Sequence, residues 1–101
     1  MYLAMNRFRI RRGNEQDFID IWKNRDTYLD EVPGFVSFNL LQGASQEDHT
    51  LFTSHSVWDS RAAFEDWTRS EVFRKAHANA GGSRKDIYMG PPQLECFESV
   101  V

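Results

Sequence analysis

Trp67 and His77 stand ten residues apart in "EDWTRSEVFRKAHANAG", Glu65 to Gly81, an otherwise ordinary amphipathic stretch. Imidazole carries protons and binds metals near neutral pH, and indole offers a large ring with a single N–H donor. A third polar group, Asn6, falls on the strand face that also carries Phe8 and Ile10. By spacing alone, Trp67 reads first as core packing, because Phe64 and Trp67 are i and i+3 and Phe73, Ala76 and Ala80 continue the stripe. His77, four residues after Phe73, reads as a hydrogen-bonded core imidazole or as a ligand. Asn6 reads as a buried amide satisfied by backbone, or as a donor aimed at a ligand or an oxygen intermediate. Asn39, inside a second strand, has the same two readings and a more solvent-like expectation.

Zinc would need three or four ligands, and His49, His55, His77 and Cys96 have no ligand spacing. Haem iron needs only one protein imidazole, because the porphyrin supplies four nitrogens. A flat apolar macrocycle would also need a cleft of rings and small side chains, which Trp67, Phe73, Ala76 and Ala80 can supply. No Ser/His/Asp order and no glycine-rich phosphate loop is present, and Asp30-Glu31 and Glu47-Asp48 read as solvated charges, so hydrolase and nucleotide-binding readings fall away.

The elements that must position these residues follow from periodicity. Tyr2 to Ile10 alternates as a half-buried strand, with Tyr2, Ala4, Asn6, Phe8 and Ile10 on one face. Asn14 is placed to cap a helix whose stripe runs Phe18, Ile21, Trp22, Arg25, Leu29 and Val32 and ends near Pro33-Gly34. Phe35 to Gly43 and His49 to Trp58 read as a hairpin around the loop Ala44 to Asp48. Asp59 or Ser60 can cap the next helix, and Ser70-Glu71 predicts a kink or two abutting helices, ending at Gly81-Gly82. Ser83 to Pro92 reads as an exposed mobile loop, where Arg84 and Lys85 are solvated or else meet acidic groups of a ligand, and Gln93 to Val100 as the last strand.

The order β-α-β-β-α-β predicts an α+β ferredoxin-like arrangement, a four-stranded antiparallel sheet with two helices on one face. Its other face would stay exposed unless a second subunit or a ligand covered it, which favours a homodimer. The 101 residues fit one domain, and 41% hydrophobic with 14% aromatic content excludes a disordered chain. A net charge of −3, with both signs interspersed, argues against nucleic acid. No run of about 18 apolar residues suggests a membrane span. One cysteine, Cys96, suits a reducing cytoplasm and reads as a small core residue.

Taken together, "MNRFRI", "VPGFVSFNLLQG", "TLFTSHSVWDSRAAFEDWTRSEVFRKAHANAG" and "ECFESV" resemble the IsdG-type haem-degrading monooxygenases of the antibiotic biosynthesis monooxygenase superfamily. The resemblance spans nearly the whole chain. Its most specific part is the strand-one asparagine combined with the helical W-x9-H. It implies a ferredoxin-like domain whose sheets pair, two copies together, into a dimeric β-barrel. It implies His77 as axial ligand of haem iron, Asn6 as a donor near the distal oxygen, and Trp67 as a wall that presses the porphyrin out of plane, with Phe73 and Ala76 lining the pocket. Haem would be both substrate and cofactor. O2 and an external reductant, supplied by a separate reductase, would drive ring opening and iron release, in iron acquisition or haem detoxification. Two other readings stay open: a cofactor-independent monooxygenase of aromatic or quinol substrates, and a haem carrier without chemistry.

Overall fold

The computed structural model describes residues 1–25, 27–77 and 85–101. Four strands and three helices follow one another: β1 (Tyr2–Arg11), α1 (Glu15–Lys23), β2 (Phe35–Ser45), β3 (His49–Trp58), α2 (Arg61–Thr68), α3 (Glu71–His77) and β4 (Gln93–Glu98). The strands form one antiparallel sheet in the order β2-β3-β1-β4, which is the ferredoxin-like order. This sheet is open, with β2 and β4 as its edges. β1 is central because its alternation suits a strand paired on both sides: Ala4, Phe8 and Ile10 are buried beneath the helices, while Arg7, Arg9 and Arg11 are exposed.

The helices leave the core in two parts. One gathers Phe8, Ile10, Phe18, Phe52 and Ile87 under α1. The other gathers Ala4, Leu29, Trp58 and Phe64 under α2. Asn6 lies on β1 between Ala4 and Phe8, and therefore in the gap between the two clusters. A polar residue is tolerated there because the sheet is not covered by packed side chains at that point.

The cap at Ser60 is present, its hydroxyl accepting from the Ala63 N–H at 3.1 Å. Gly34 holds φ +83, and a Cβ there would fall 2.5 Å from the Ala63 Cβ, so the turn before β2 can lie directly against α2 only with glycine. The expected break at Ser70-Glu71 is also present and separates α2 from α3. Asn14 occupies the N-cap position of α1, but its side chain donates to Asp17 at 2.8 Å instead of capping.

Three expectations need correction. α1 does not continue to Pro33; it stops at Lys23, where Asn24 folds both its backbone N–H and its side-chain amide back onto the Asp20 carbonyl. The remaining stripe residue Leu29 is buried instead by a 3-10 turn, Leu29–Glu31, entered through Tyr28 at φ 56. Cys96 is exposed, because β4 pairs with β1 alone and all six of its residues lie open to solvent. The segment before β4 is not a freely exposed loop. Ile87 is fully buried against the first core and Tyr88 bridges Ile10 of β1. The expected helix end at Gly81-Gly82, and the residues Ala80 and Arg84, lie outside the described residues.

The strands are also bounded slightly differently from their expected limits, β2 running on to Ser45 and β4 ending at Glu98. Ile87 sets a test of this arrangement. Ile87→Ala should cost about 2–5 kcal/mol in urea unfolding, the range for truncating a fully buried aliphatic side chain. Lys85→Ala, in the same segment but exposed, should stay within about 0.5 kcal/mol. Equal, small effects would show that the segment does not pack as described.

Candidate functional site

Between the two cores lies a cavity of about 610 Å³, floored by the sheet and walled by the helices and the segment before β4. Asn6, Trp67, Phe73, Ala76 and His77 all line it, although β1 and α3 are some 70 residues apart in sequence. Its polar groups are few against an otherwise aromatic and aliphatic lining, as a site for a large apolar ligand requires.

The local sequence explains how α2 and α3 meet there. The Ser70 hydroxyl donates to the Trp67 carbonyl at 2.6 Å and accepts from the Phe73 N–H at 3.1 Å, closing one helix and opening the next. The resulting bend turns Trp67 toward α3. Its ring centroid is 4.8 Å from Phe73, nearly perpendicular, and 5.9 Å from His77. Behind it stands the fully buried Trp58, 5.0 Å away. The Trp67 indole N–H is buried and has no acceptor among the described residues. A donor left in that state costs roughly 1–3 kcal/mol, so the site holds an unmet demand for an acceptor or for a shape that only this ring provides.

His77 ends α3 with its ring stacked on Phe73, centroids 3.9 Å apart and 23° between planes. Its Nδ1 lies 2.8 Å from the Phe73 carbonyl oxygen. A carbonyl only accepts, so Nδ1 carries the proton and Nε2 keeps its lone pair, the form in which imidazole binds a metal. His77 as a residue is exposed, yet desolvation of its ring lowers its pKa below the usual histidine value; the Phe73 carbonyl opposes this, and the nearby Arg25 guanidinium adds a further downward push. On balance these contacts favour the neutral imidazole.

Sequence reasoning missed two groups on the cavity wall. Arg25 continues the helical spacing of the apolar stripe past the end of α1, and an arginine in such a stripe is itself the signal. Its Nε donates to the Ala76 carbonyl at 3.3 Å, and its guanidinium stands 4.4 Å over the Trp22 ring, which in turn stacks on Phe38. Ser54 lies directly opposite Asn6 across the β1–β3 ladder, and both side chains line the cavity. The strand register between Asn6 and Ser54 would have revealed it. Tyr88, whose pKa is raised by burial, closes the far wall. Lys85 lines the cavity while its side chain remains exposed, and Asn39 is exposed on β2, as its solvent-like reading expected.

An open four-stranded antiparallel sheet, with helices on one face and a ring-lined cavity between them, defines a ferredoxin-like α+β protein. The chain belongs to the antibiotic biosynthesis monooxygenase family, which it matches over residues 1–79. It is 31% identical over 85 residues to Heme oxygenase (staphylobilin-producing) 1 of Staphylococcus aureus, a match covering 84% of this chain and 78% of that one. Among solved structures it is similar in fold to a Bacillus cereus chain grouped with the antibiotic biosynthesis monooxygenases, with a TM-score of 0.81 at 13% identity over 99% of this chain and 91% of that one. It is also similar in fold to the heme-degrader MhuD of Mycobacterium tuberculosis with two hemes bound in its active site, with a TM-score of 0.75 at 23% identity over 100% and 97% of the two chains. Among the described residues no helix is long and apolar enough to cross a membrane.

Proton NMR should find the His77 imidazole titrating below the ordinary histidine value of about 6.5. Because its folded pKa lies below the unfolded one, this group's support for the fold is complete above that pH and diminishes as pH falls toward the folded value. An imidazole titrating at or above the ordinary value would contradict the ring placement described here.

Proposed function

We propose that the chain is a haem-degrading monooxygenase, in which haem is the substrate, O2 the oxidant and a separate reductase the source of electrons in the cytoplasm. The observation that carries this reading is the meeting of Asn6, Trp67 and His77 on one apolar cavity, with Nδ1 of His77 turned to the Phe73 carbonyl. The relationship to a haem oxygenase at 31% identity supports it independently.

Haem would supply the iron that activates O2 and the ring that is oxidised. The chain's own residues would do the rest. His77 offers a neutral imidazole whose tautomer and orientation are fixed by the Phe73 carbonyl. Asn6 makes no side-chain hydrogen bond among the described residues, which leaves its amide free to donate into the cavity beside Ser54. Trp67, backed by the fully buried Trp58, would form the wall against which a flat ligand rests. Arg25 and Lys85 place positive charge on the cavity wall, where it suits acidic substituents of a ligand.

The outer sheet face presents Leu3, Met5 and Leu51 beside Arg7, Arg9 and Arg11, flanked by the exposed Leu41 and Phe97. A second copy covering this face completes the β-barrel of a homodimer. Sedimentation velocity should show a dimer, and Met5→Glu, which sets a charge in the middle of that face, should yield a folded monomer. A monomeric parent chain would refute the pairing.

Titration with hemin should give a saturable Soret shift at one hemin per chain, and the band should bleach on adding reductant in air. His77→Ala should lose saturable binding. Asn6→Ala and Trp67→Ala should bind but turn over about 10²-fold more slowly or worse, the scale of losing a preorganised donor or positioning group. Absence of a saturable shift would sink the haem reading, and a Soret band that survives reductant in air would make the chain a carrier.

A further inference from the structure

We infer that Trp67, Trp58, Tyr2 and Cys96 form a relay that carries a one-electron oxidising equivalent from the cavity wall to the exposed edge of the sheet. Trp67, Trp58 and Tyr2 all pack in the second core, and Cys96 stands next to Tyr2 on the neighbouring strand. Trp67 lines the cavity and its ring lies 5.0 Å from that of Trp58, tilted by 32°. Trp58 is fully buried and is the direct register partner of Tyr2 across the β1–β3 ladder. Phe64 fills the angle between them, its ring 5.8 Å from Trp58 and 5.6 Å from Tyr2. On β4, Cys96 pairs with Ala4 and so stands diagonally beside Tyr2 on the same face of the sheet. It is exposed, contrary to the core position expected for a lone cysteine. The contact between phenol and thiol is close enough to raise the Tyr2 pKa.

The order of the side chains suits the chemistry. Among the described residues the Trp67 N–H has no acceptor, so none of them takes its proton on oxidation and the ring is held as a radical cation, the stronger oxidant of its two forms. The Trp58 N–H is held by the Ser56 hydroxyl at 3.0 Å, which is no base. Trp67 therefore regains its electron from Trp58. Trp58 regains its electron from Tyr2, whose phenolic proton leaves to water at the edge. The Tyr2 phenoxyl then takes a hydrogen atom from the Cys96 thiol, restoring the phenol and leaving a thiyl, which an external thiol or enediol reductant reduces. Trp22 also lines the cavity, but the Arg25 guanidinium over its ring opposes a second positive charge there. Oxidation is thereby directed toward Trp67. The use of this relay, to remove oxidising equivalents that miss the substrate, rests on the oxidative function proposed above; its existence does not.

The test uses the full chain without haem and the azide radical, generated by pulse radiolysis, as the one-electron oxidant. The tryptophanyl absorption should decay in a first-order phase independent of protein concentration, with a matching rise of tyrosyl absorption. Tyr2→Phe, a mild change at the start of β1, should abolish the tyrosyl rise and prolong the tryptophanyl signal. Trp58→Phe should remove the fast phase, and Cys96→Ser should prolong the tyrosyl signal. A tyrosyl rise unchanged in Tyr2→Phe, or a fast phase unchanged in Trp58→Phe, overturns the relay. A chain that passes this test but shows no hemin binding keeps the relay and loses the proposed function, so the two failures are distinct.

Discussion

The Ser70 hydroxyl is the hinge of the site. By donating to the Trp67 carbonyl and accepting from the Phe73 N–H, it lets two short helices meet at an angle where one longer helix would run straight. In a continuous helix Trp67 and His77 would be carried almost three turns apart along one axis, at 1.5 Å per residue. With the bend, indole, phenyl and imidazole form a contiguous ring cluster on one wall. Neither α2 nor α3 is long enough to persist alone, so their geometry depends on this contact and on what the rings pack against.

What the rings pack against is a core divided in two. A small α+β protein ordinarily fills the space between sheet and helices, because empty volume forfeits both transfer and dispersion energy. Here the division falls at Asn6, with Ala4 in one cluster and Phe8 in the other. Stability is thus concentrated at the two ends of the sheet, in Phe18, Phe52 and Ile87 on one side and Trp58 and Phe64 on the other. The aromatic content is spent largely on stiffening the rims of the gap. A cavity bounded by such rings keeps its shape without a ligand, which lowers the ordering cost of binding one.

Much of this was legible in the sequence because strand alternation and helix capping are local. The faces of β1, the cap at Ser60 and the break at Ser70-Glu71 follow from residue order alone. The meeting of Asn6, Trp67 and His77 was anticipated through resemblance, since spacing by itself made the two helical residues ordinary core. What was hidden depends on contacts distant in the chain. The stripe Arg25, Leu29, Val32 keeps helical spacing, yet Arg25 is drawn to the Ala76 carbonyl and the Trp22 face, and the helix has ended before it. Ile87 and Tyr88 stand in a stretch rich in glycine, proline and charge, and only their seats against β1 make that stretch ordered. Cys96 has a core-like residue type on a strand that the helices do not reach.

That strand gives the cavity one soft wall. β4 is joined to the sheet only along β1, all six of its residues face solvent, and it nonetheless contributes Leu94 to the cavity lining. Thermal opening of a protein begins where few apolar contacts are lost, so the ladder peels from this edge long before Trp58 or Phe52 is exposed. The cavity therefore has one wall whose hydrogen bonds to the sheet open more readily than the aromatic walls packed into the two cores.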